Sequence, residues 1–233
     1  MKDISFLKKN LIAHRGIFDN EKVPENSIAS FKKAMSKGYT IELDVRLSKD
    51  NKVVVFHDAT LKRMCKTDKY LKDLNYKELI KYKLLDTNYS IPTLEEVLTL
   101  IDGKVPVIVE IKYDEKTPLI EECLVKILDN YKGVFAIKSF NPFILLWFKK
   151  HRPNYIRGIL LSDKKKDIKS YLTYKLFSLC KPDFLSCNYK LFNDKKIKKY
   201  RDKIPVICWT IRDKETLEKV KDNFDNFICE KII

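Results

Sequence analysis

An α/β fold of the TIM (β/α)8 barrel kind is what this amino-acid sequence predicts, on three observations. Short β-rich runs that end in polar residues alternate with amphipathic helical stretches from one end of the chain to the other. Eight such runs can be counted. The 233 residues, 45% of them apolar, suffice for one barrel and its core.

The expected strands are residues 11–14, 40–45, 105–112, 134–139, 156–161, 184–188, 206–211 and 227–230. Helices with readable ends lie between them. Asn26 precedes one that buries Ile28, Phe31 and Met35 and stops at Gly38, while Thr93 with Glu96 forms a capping box at the start of another. Two departures from a plain eightfold repeat stand out. The second strand continues through Asp50-Asn51 into residues 53–57 and reads as a hairpin. A turn centred between Asp50 and Asn51 pairs residues whose numbers sum to 101, which sets His57 opposite Asp44. Residues 58–90 then form a small, irregular, Lys- and Tyr-rich insertion with one helix at 76–85, placed to cap the barrel mouth. The other departure is the end of the chain, where Ile233 leaves no room for an eighth helix. Residues 1–233 thus read as a single domain.

Composition narrows the classes of function. No stretch approaches the roughly 18 consecutive apolar residues of a spanning helix, and residues 1–10 hold no apolar run long enough for a secretory signal, so the expected location is the cytoplasm. Cys65, Cys123, Cys180, Cys187, Cys208 and Cys229 lie far apart, form no C-x-x-C pair and read as reduced, mostly buried thiols. The formal charge of +15 comes from 47 Lys and Arg against 32 Asp and Glu. Its lysines are spread along the helices, as in Lys32-Lys33, Lys164 to Lys166, Lys195-Lys196 and Lys198-Lys199, with no aromatic-interleaved basic motif beside them. That describes solvated helix faces and no specific nucleic-acid partner, although the field still draws anionic substrates.

Residues two apart on a strand share a face, and that rule places the chemistry. In residues 41–45 the apolar side chains face the helices, so Glu42 and Asp44 point into the barrel. In residues 107–112, Glu110 and Lys112 point inward near the carboxyl end of their strand, where barrels carry active sites. Three carboxylates converging on a small volume repel unless something cationic joins them, and an all-oxygen donor set suits Mg²⁺ or Ca²⁺. The blander reading is a Glu-Lys structural ion pair with one solvated acid.

Of the three histidines, His14 and His57 end strands beside these carboxylates. Two imidazoles can act as general base and general acid near neutral pH, and the strand-end Arg15 can bind a phosphate bidentately. Burying so much unpaired polarity for structure alone would be costly. His151 sits in the basic helix end 149–153 and reads as solvated.

Six ordered motifs carry a resemblance: Ile12-Ala13-His14-Arg15-Gly16, Pro24-Glu25-Asn26-Ser27, Glu42-Leu43-Asp44-Val45, Val55-Phe56-His57-Asp58, Ile91-Pro92-Thr93-Leu94-Glu95-Glu96 and Glu110-Ile111-Lys112. In order and spacing the chain resembles the glycerophosphodiester phosphodiesterase family, more thinly through Ser139-Phe140, Trp209-Thr210 and Phe224-Asp225. The resemblance implies a barrel enzyme that hydrolyses small glycerophosphodiesters to sn-glycerol 3-phosphate and an alcohol. It implies His14 and His57 as the acid/base pair, a divalent metal ion on Glu42, Asp44 and Glu110, and Arg15 and Lys112 as stabilisers of phosphate charge. Glu25 and Asn26 would support the site, and Phe140 and Trp209 would shape the substrate pocket; plain barrel packing is the alternative for these two aromatics.

Two departures from the family pattern fall late in the chain. Asn223-Phe224-Asp225-Asn226 stands where Gly-Val-Asp-Gly is usual, and Cys229-Glu230 where Thr-Asp is. Neither alters the residues just named. Rival functions are a phosphodiesterase acting on lysophospholipids or phospholipids, with Tyr70, Leu71, Leu74, Tyr76, Leu84 and Leu85 as an apolar lid making peripheral membrane contact, and a catalytically dead barrel that binds anions. A satellite core is the plainer account of those apolar residues.

Overall fold

The computed structural model describes residues 2–112, 115–163, 176–177 and 179–232. Among the described residues nine strands form one sheet: β1 Ile12–His14, β2 Thr40–Leu47, β3 Val53–Val55, β4 Val107–Ile111, β5 Phe135–Ser139, β6 Ile156–Leu161, β7 Phe184–Asn188, β8 Val206–Ile211 and β9 Asn226–Cys229. All neighbours pair in parallel except β2 with β3, and the β1–β2 pairing closes the other eight into a barrel. The sequence placed all eight barrel strands to within a few residues at each end.

Helices α1 Phe6–Lys9, α2 Ile28–Ser36, α3 Lys62–Cys65, α4 Tyr76–Leu79, α5 Leu94–Ile101, α6 Leu119–Leu128, α7 Pro142–His151, α8 Lys195–Arg201 and α9 Lys214–Val220 occupy the connections. None is long and apolar enough to cross a membrane. The run Lys164 to Lys166 lies outside the described residues. Outward-facing strand residues such as Ile41, Leu43, Val107 and Val109 pack beneath α2, α5 and α6 in the largest core cluster.

Inside the barrel the floor is apolar. Ile12, Ile108, Ala136, Ile156, Phe184, Ile207 and Ile228 fill it together with Phe6 and Leu7 of α1. A Cβ on Gly158 would lie 2.2 Å from Phe184 Cζ, so only glycine at this position lets that ring fill the interior. The sequence did not reveal α1, which offers a single four-residue turn; the Asn226 amide binds it from the barrel side, donating to Leu7 O at 2.9 Å and Asn10 O at 2.8 Å.

Three local expectations are corrected. The hairpin pairs Val45 with Val55 and Leu47 with Val53, so paired numbers sum to 100 and not 101. Ser48 N donates to Lys52 O at 3.0 Å around the three-residue loop Lys49-Asp50-Asn51, whose last residue takes φ +61°; the extra loop residue shifts the register by one. Phe56, not His57, thus bonds across to Asp44, its N donating to Asp44 O at 2.9 Å, and His57 follows in the loop. The cap of α2 is Ser27, in a reciprocal box with Ser30; Asn26 stands one residue earlier at φ +52°. Ile28 and Met35 are only partly buried, while Ala34 joins Phe31 in the core.

The helix expected at 76–85 is the single turn α4, because the chain folds back through Leu84 N→Tyr89 O (2.8 Å). Leu71 and Leu84, each 1% exposed, pack with Val54, Phe56, Leu61, Met64, Leu79 and Ile91 into a satellite core. The insertion therefore spends most of its apolar surface on itself, and of the six residues considered for a lid only Tyr70 is exposed.

Candidate active site

At the carboxyl ends of the strands lies a cavity of about 230 Å³ lined by His14, Arg15, Asp44, His57, Glu110, Lys112 and Lys138, and also by Phe140, Tyr189, Trp209 and Arg212. A larger open groove of about 630 Å³ between α5 and α6 contains neither a histidine nor any residue of the carboxylate cluster.

Strand register explains the convergence. His14 sits across from Glu42, Asp44 from Glu110, and Glu110 from Lys138, so neighbouring inward positions are all ionisable. Glu42, Asp44 and Glu110 are buried, and one oxygen from each lies within 4.8 Å of the others. Lys112 Nζ stands 2.9 Å from Asp44 Oδ1 and 2.6 Å from Glu110 Oε1. The Lys138 ammonium, 2% exposed, stands 2.9 Å from Glu42 Oε1 and 3.2 Å from Glu110 Oε2.

Burial by itself would raise the acid pKa values. Lys112 and Arg15 instead hold Asp44 well below the usual carboxylate range, and Lys112 with Lys138 brings Glu110 to about 2. Burial would likewise discharge the lysines, but the carboxylates keep both ammonium groups above their ordinary pKa. The repulsion that the sequence left for a metal ion to relieve is thus already opposed by two lysines. Lys138 was overlooked, although the alternation in residues 135–139 points it inward by the rule that found Glu110.

The two histidines are held in the same manner. His14 Nδ1 hydrogen-bonds Glu230 Oε1, and Arg212 Nε donates to Glu230 Oε2 at 2.7 Å. Burial opposes it, but His14 and Arg212 bring the Glu230 carboxyl to about 2. His57 Nδ1 lies 2.6 Å from Asp58 Oδ1, with Arg63 Nε donating to Asp58 Oδ2 at 2.7 Å. Against its burial, these two partners hold Asp58 below the usual range. An ionised carboxylate can only accept, so in both rings Nδ1 is the donor and Nε2 is free of that bond.

Arg15 and Asn26 complete the cluster. Arg15 and Gly16 form a tight turn, with positive φ at both and no room at Gly16 for a Cβ, which would lie 2.6 Å from Ser30 Oγ. The turn aims Arg15 Nε at Asp44 Oδ2 (3.2 Å) and Nη1 at Glu25 Oε1 (2.6 Å). Freed from capping, Asn26 donates its amide to Asp44 Oδ2 at 2.9 Å. Phe140 and Trp209 meet edge to face with centroids 5.8 Å apart on the cavity wall. His151 is exposed and stacks on Trp147, away from this group.

Residues 14–225 match the Glycerophosphoryl diester phosphodiesterase family. The chain belongs to that family. A glycerophosphodiester phosphodiesterase of Caldanaerobacter subterraneus subsp. tengcongensis is 34% identical over 96% of this chain and 95% of the relative. Among solved structures, a phosphodiesterase of Oleispira antarctica in complex with the product sn-glycerol 3-phosphate superposes with TM-score 0.82 at 24% identity, over 96% of this chain and 93% of that one. The Thermotoga maritima glycerophosphodiester phosphodiesterase does so with TM-score 0.75 at 27% identity, over 95% and 94%.

Within the glycerophosphoryl diester phosphodiesterase family pattern, the two late departures have different meanings. Asn226 works at the barrel floor, remote from the cavity lining. Glu230, by contrast, is the partner of His14, a contact that the sequence pattern did not disclose. Its signal was its place at the end of the last strand, the position that made His14 and Lys112 conspicuous.

Proposed function

We propose that the protein hydrolyses small glycerophosphodiesters to sn-glycerol 3-phosphate and an alcohol, with His14 and His57 as the general acid/base pair. The observation that carries this reading is the cavity lined by both histidines, each oriented by a carboxylate on Nδ1, and by Arg15, Lys112 and Lys138, beside the cluster of three buried carboxylates. Family membership supports the reaction class, as does the sn-glycerol 3-phosphate bound to a relative of the same fold.

An oxygen-only set of three carboxylates this close together suits a hard divalent ion, Mg²⁺ or Ca²⁺, on Glu42, Asp44 and Glu110. Such an ion would supply Lewis-acid polarisation of the phosphate. Arg15 and Lys112 bind and orient the phosphate and meet its developing negative charge. One Nε2 accepts the proton of the attacking hydroxyl as the new O–P bond forms; the other delivers a proton to the leaving oxygen as its P–O bond breaks. Phe140 and Trp209 supply apolar wall to the substrate.

Burial of Leu71 and Leu84 in the satellite core favours soluble diesters over lysophospholipids as substrates. The six free thiols accord with a reducing compartment such as the cytoplasm, burial raising Cys180 to about 11 and Cys229 to about 12. The test is a panel of sn-glycero-3-phosphocholine, a lysophospholipid and bis(p-nitrophenyl) phosphate, each with and without divalent ion. Turnover of the first with release of sn-glycerol 3-phosphate is the expected result, and turnover confined to the lipid would replace this reading with a lipid phosphodiesterase.

A further inference from the structure

Arg63 belongs to α3, within the insertion, and its guanidinium is occupied by carboxylate oxygens along both edges. Nε donates to Asp58 Oδ2 at 2.7 Å, Nη2 to Glu25 Oε1 at 2.7 Å and Nη1 to Glu25 Oε2 at 2.9 Å. The other oxygen of Asp58 accepts a hydrogen bond from His57 Nδ1 at 2.6 Å. Glu25 Oε1 also accepts from Arg15 Nη1 at 2.6 Å, and Arg15 Nε faces Asp44. His57, Asp58, Arg63, Glu25 and Arg15 thereby form one unbroken chain of charge-assisted bonds, with Arg63 joining its two halves.

We propose that Arg63 is a positioning residue that fixes His57 and Arg15 relative to each other, which makes the insertion part of the catalytic apparatus and more than a cover. The inference rests on the proposed roles of those two residues in diester hydrolysis. Its physical basis is the planar fork of guanidinium, whose N–H groups hold two carboxylates in one fixed plane, whereas an ammonium joins its partners through donors that rotate about the end of a flexible stem. Loss of the fork removes the bond on Asp58 Oδ2 and two of the bonds on buried Glu25, which leaves Asp58 to His57 and Glu25 to Arg15 and Asn20. Asp58 would then hold the His57 ring less firmly in one tautomer, and the Glu25 brace on the Nη1 side of Arg15 would slacken. The corresponding Arg212 clamps Glu230 beside His14 but bridges to no second carboxylate, so the coupling of histidine to phosphate-binding arginine is peculiar to Arg63 among the described residues.

Arg63→Gln, Arg63→Lys and the control Lys62→Gln, on an exposed neighbour paired with Asp68 alone, are compared in the full chain with sn-glycero-3-phosphocholine and divalent ion. Arg63→Gln should lower kcat about 10- to 100-fold and raise KM several-fold, the scale expected when reacting groups are misplaced by about 1 Å. Arg63→Lys should recover less than half of the loss on a logarithmic scale, and Lys62→Gln should match wild type. In an Asp58→Asn background, Arg63→Gln should lower kcat by clearly less than it does alone, since the His57 branch of its contacts is already broken and only the Glu25–Arg15 branch remains.

The imidazole ¹⁵N spectrum, simple in a chain with three histidines, gives a reading independent of turnover. It should show His57 as a single Nδ1–H tautomer in wild type and as a mixture in both Arg63 variants. Wild-type kcat and KM in Arg63→Gln, equal damage from Lys62→Gln, full multiplication of effects in the double variant, or an unchanged His57 tautomer would each overturn the proposal. If wild type turned over no glycerophosphodiester, the functional reading would fail, and the tautomer of His57 would still decide the positioning role of Arg63.

Discussion

Replacing Lys138 by methionine keeps the stem and volume of a side chain that is 2% exposed but removes a charge shared by Glu42 at 2.9 Å and Glu110 at 3.2 Å. Both acids would remain buried with only part of their compensation. Breaking one side of a buried ion pair in this way costs about 3–5 kcal/mol. At about 2–4 °C per kcal/mol for a chain of this size, Tm should fall by roughly 6–20 °C. A divalent ion on the same carboxylates should restore part of the loss, about 2.7 kcal/mol when present at 100 times its dissociation constant. Calorimetry of wild type and Lys138→Met, in chelator and in millimolar Mg²⁺ or Ca²⁺, measures both effects. A variant that melts within about 2 °C of wild type in chelator, on the same scale, would refute the view that Lys138 balances the cluster.

Three other outcomes follow from the geometry. His14→Ala and His57→Ala should each lower kcat by roughly two to four orders of magnitude, measured in circular-dichroism-validated protein, because proton transfer is felt mainly in the transition state. Lys112→Ala should damage kcat/KM far more than Lys195→Ala on the exposed face of α8, and equal effects would point to general steering by the +15 charge. Glu25, Glu110 and Glu230 lie at about 2 in the folded protein against an ordinary value of 4.5. Stability from these depressed acids is fully present above about pH 4.5 and is lost as pH falls toward 2, so Tm measured from pH 7 downward should stay level and then drop across that window.

The fold and much of the candidate site were legible because barrel strands obey a two-residue alternation and end where the chemistry begins. Glu42, Asp44, Glu110, Lys112 and His14 all follow from it, and the structure gathers the three carboxylates beside a cavity that Asp44, Glu110, Lys112 and His14 line. What escaped depends on tertiary register or on partners remote in sequence. The hairpin register turned on a single residue in αL conformation, Asn51, and the turn containing Asp50 and Asn51 does not by itself distinguish a two-residue loop from a three-residue one. Glu230 and Arg212 reach His14 from the far end of the chain, across the β1–β9 seam that only closure creates. Arg63 was hidden in an irregular segment with no periodicity to give it a direction. Asn26 looked like a helix cap because Asn caps helices, but Ser27 took that place and left Asn26 to Asp44.

The most direct test of the central claim follows the phosphorus of sn-glycero-3-phosphocholine by ³¹P NMR with purified protein in three states: as isolated, after exhaustive chelation, and after Mg²⁺ or Ca²⁺ is restored, with Glu110→Gln treated in parallel. The diester signal should convert to that of sn-glycerol 3-phosphate, conversion should be lost on chelation and return with the ion, and the return should be blunted in Glu110→Gln, which removes a ligand charge with little change of shape. Unchanged turnover by the chelated wild type would mean that Glu42, Asp44 and Glu110 serve as a structural network with Lys112 and Lys138, and would contradict the proposed metal-dependent hydrolysis.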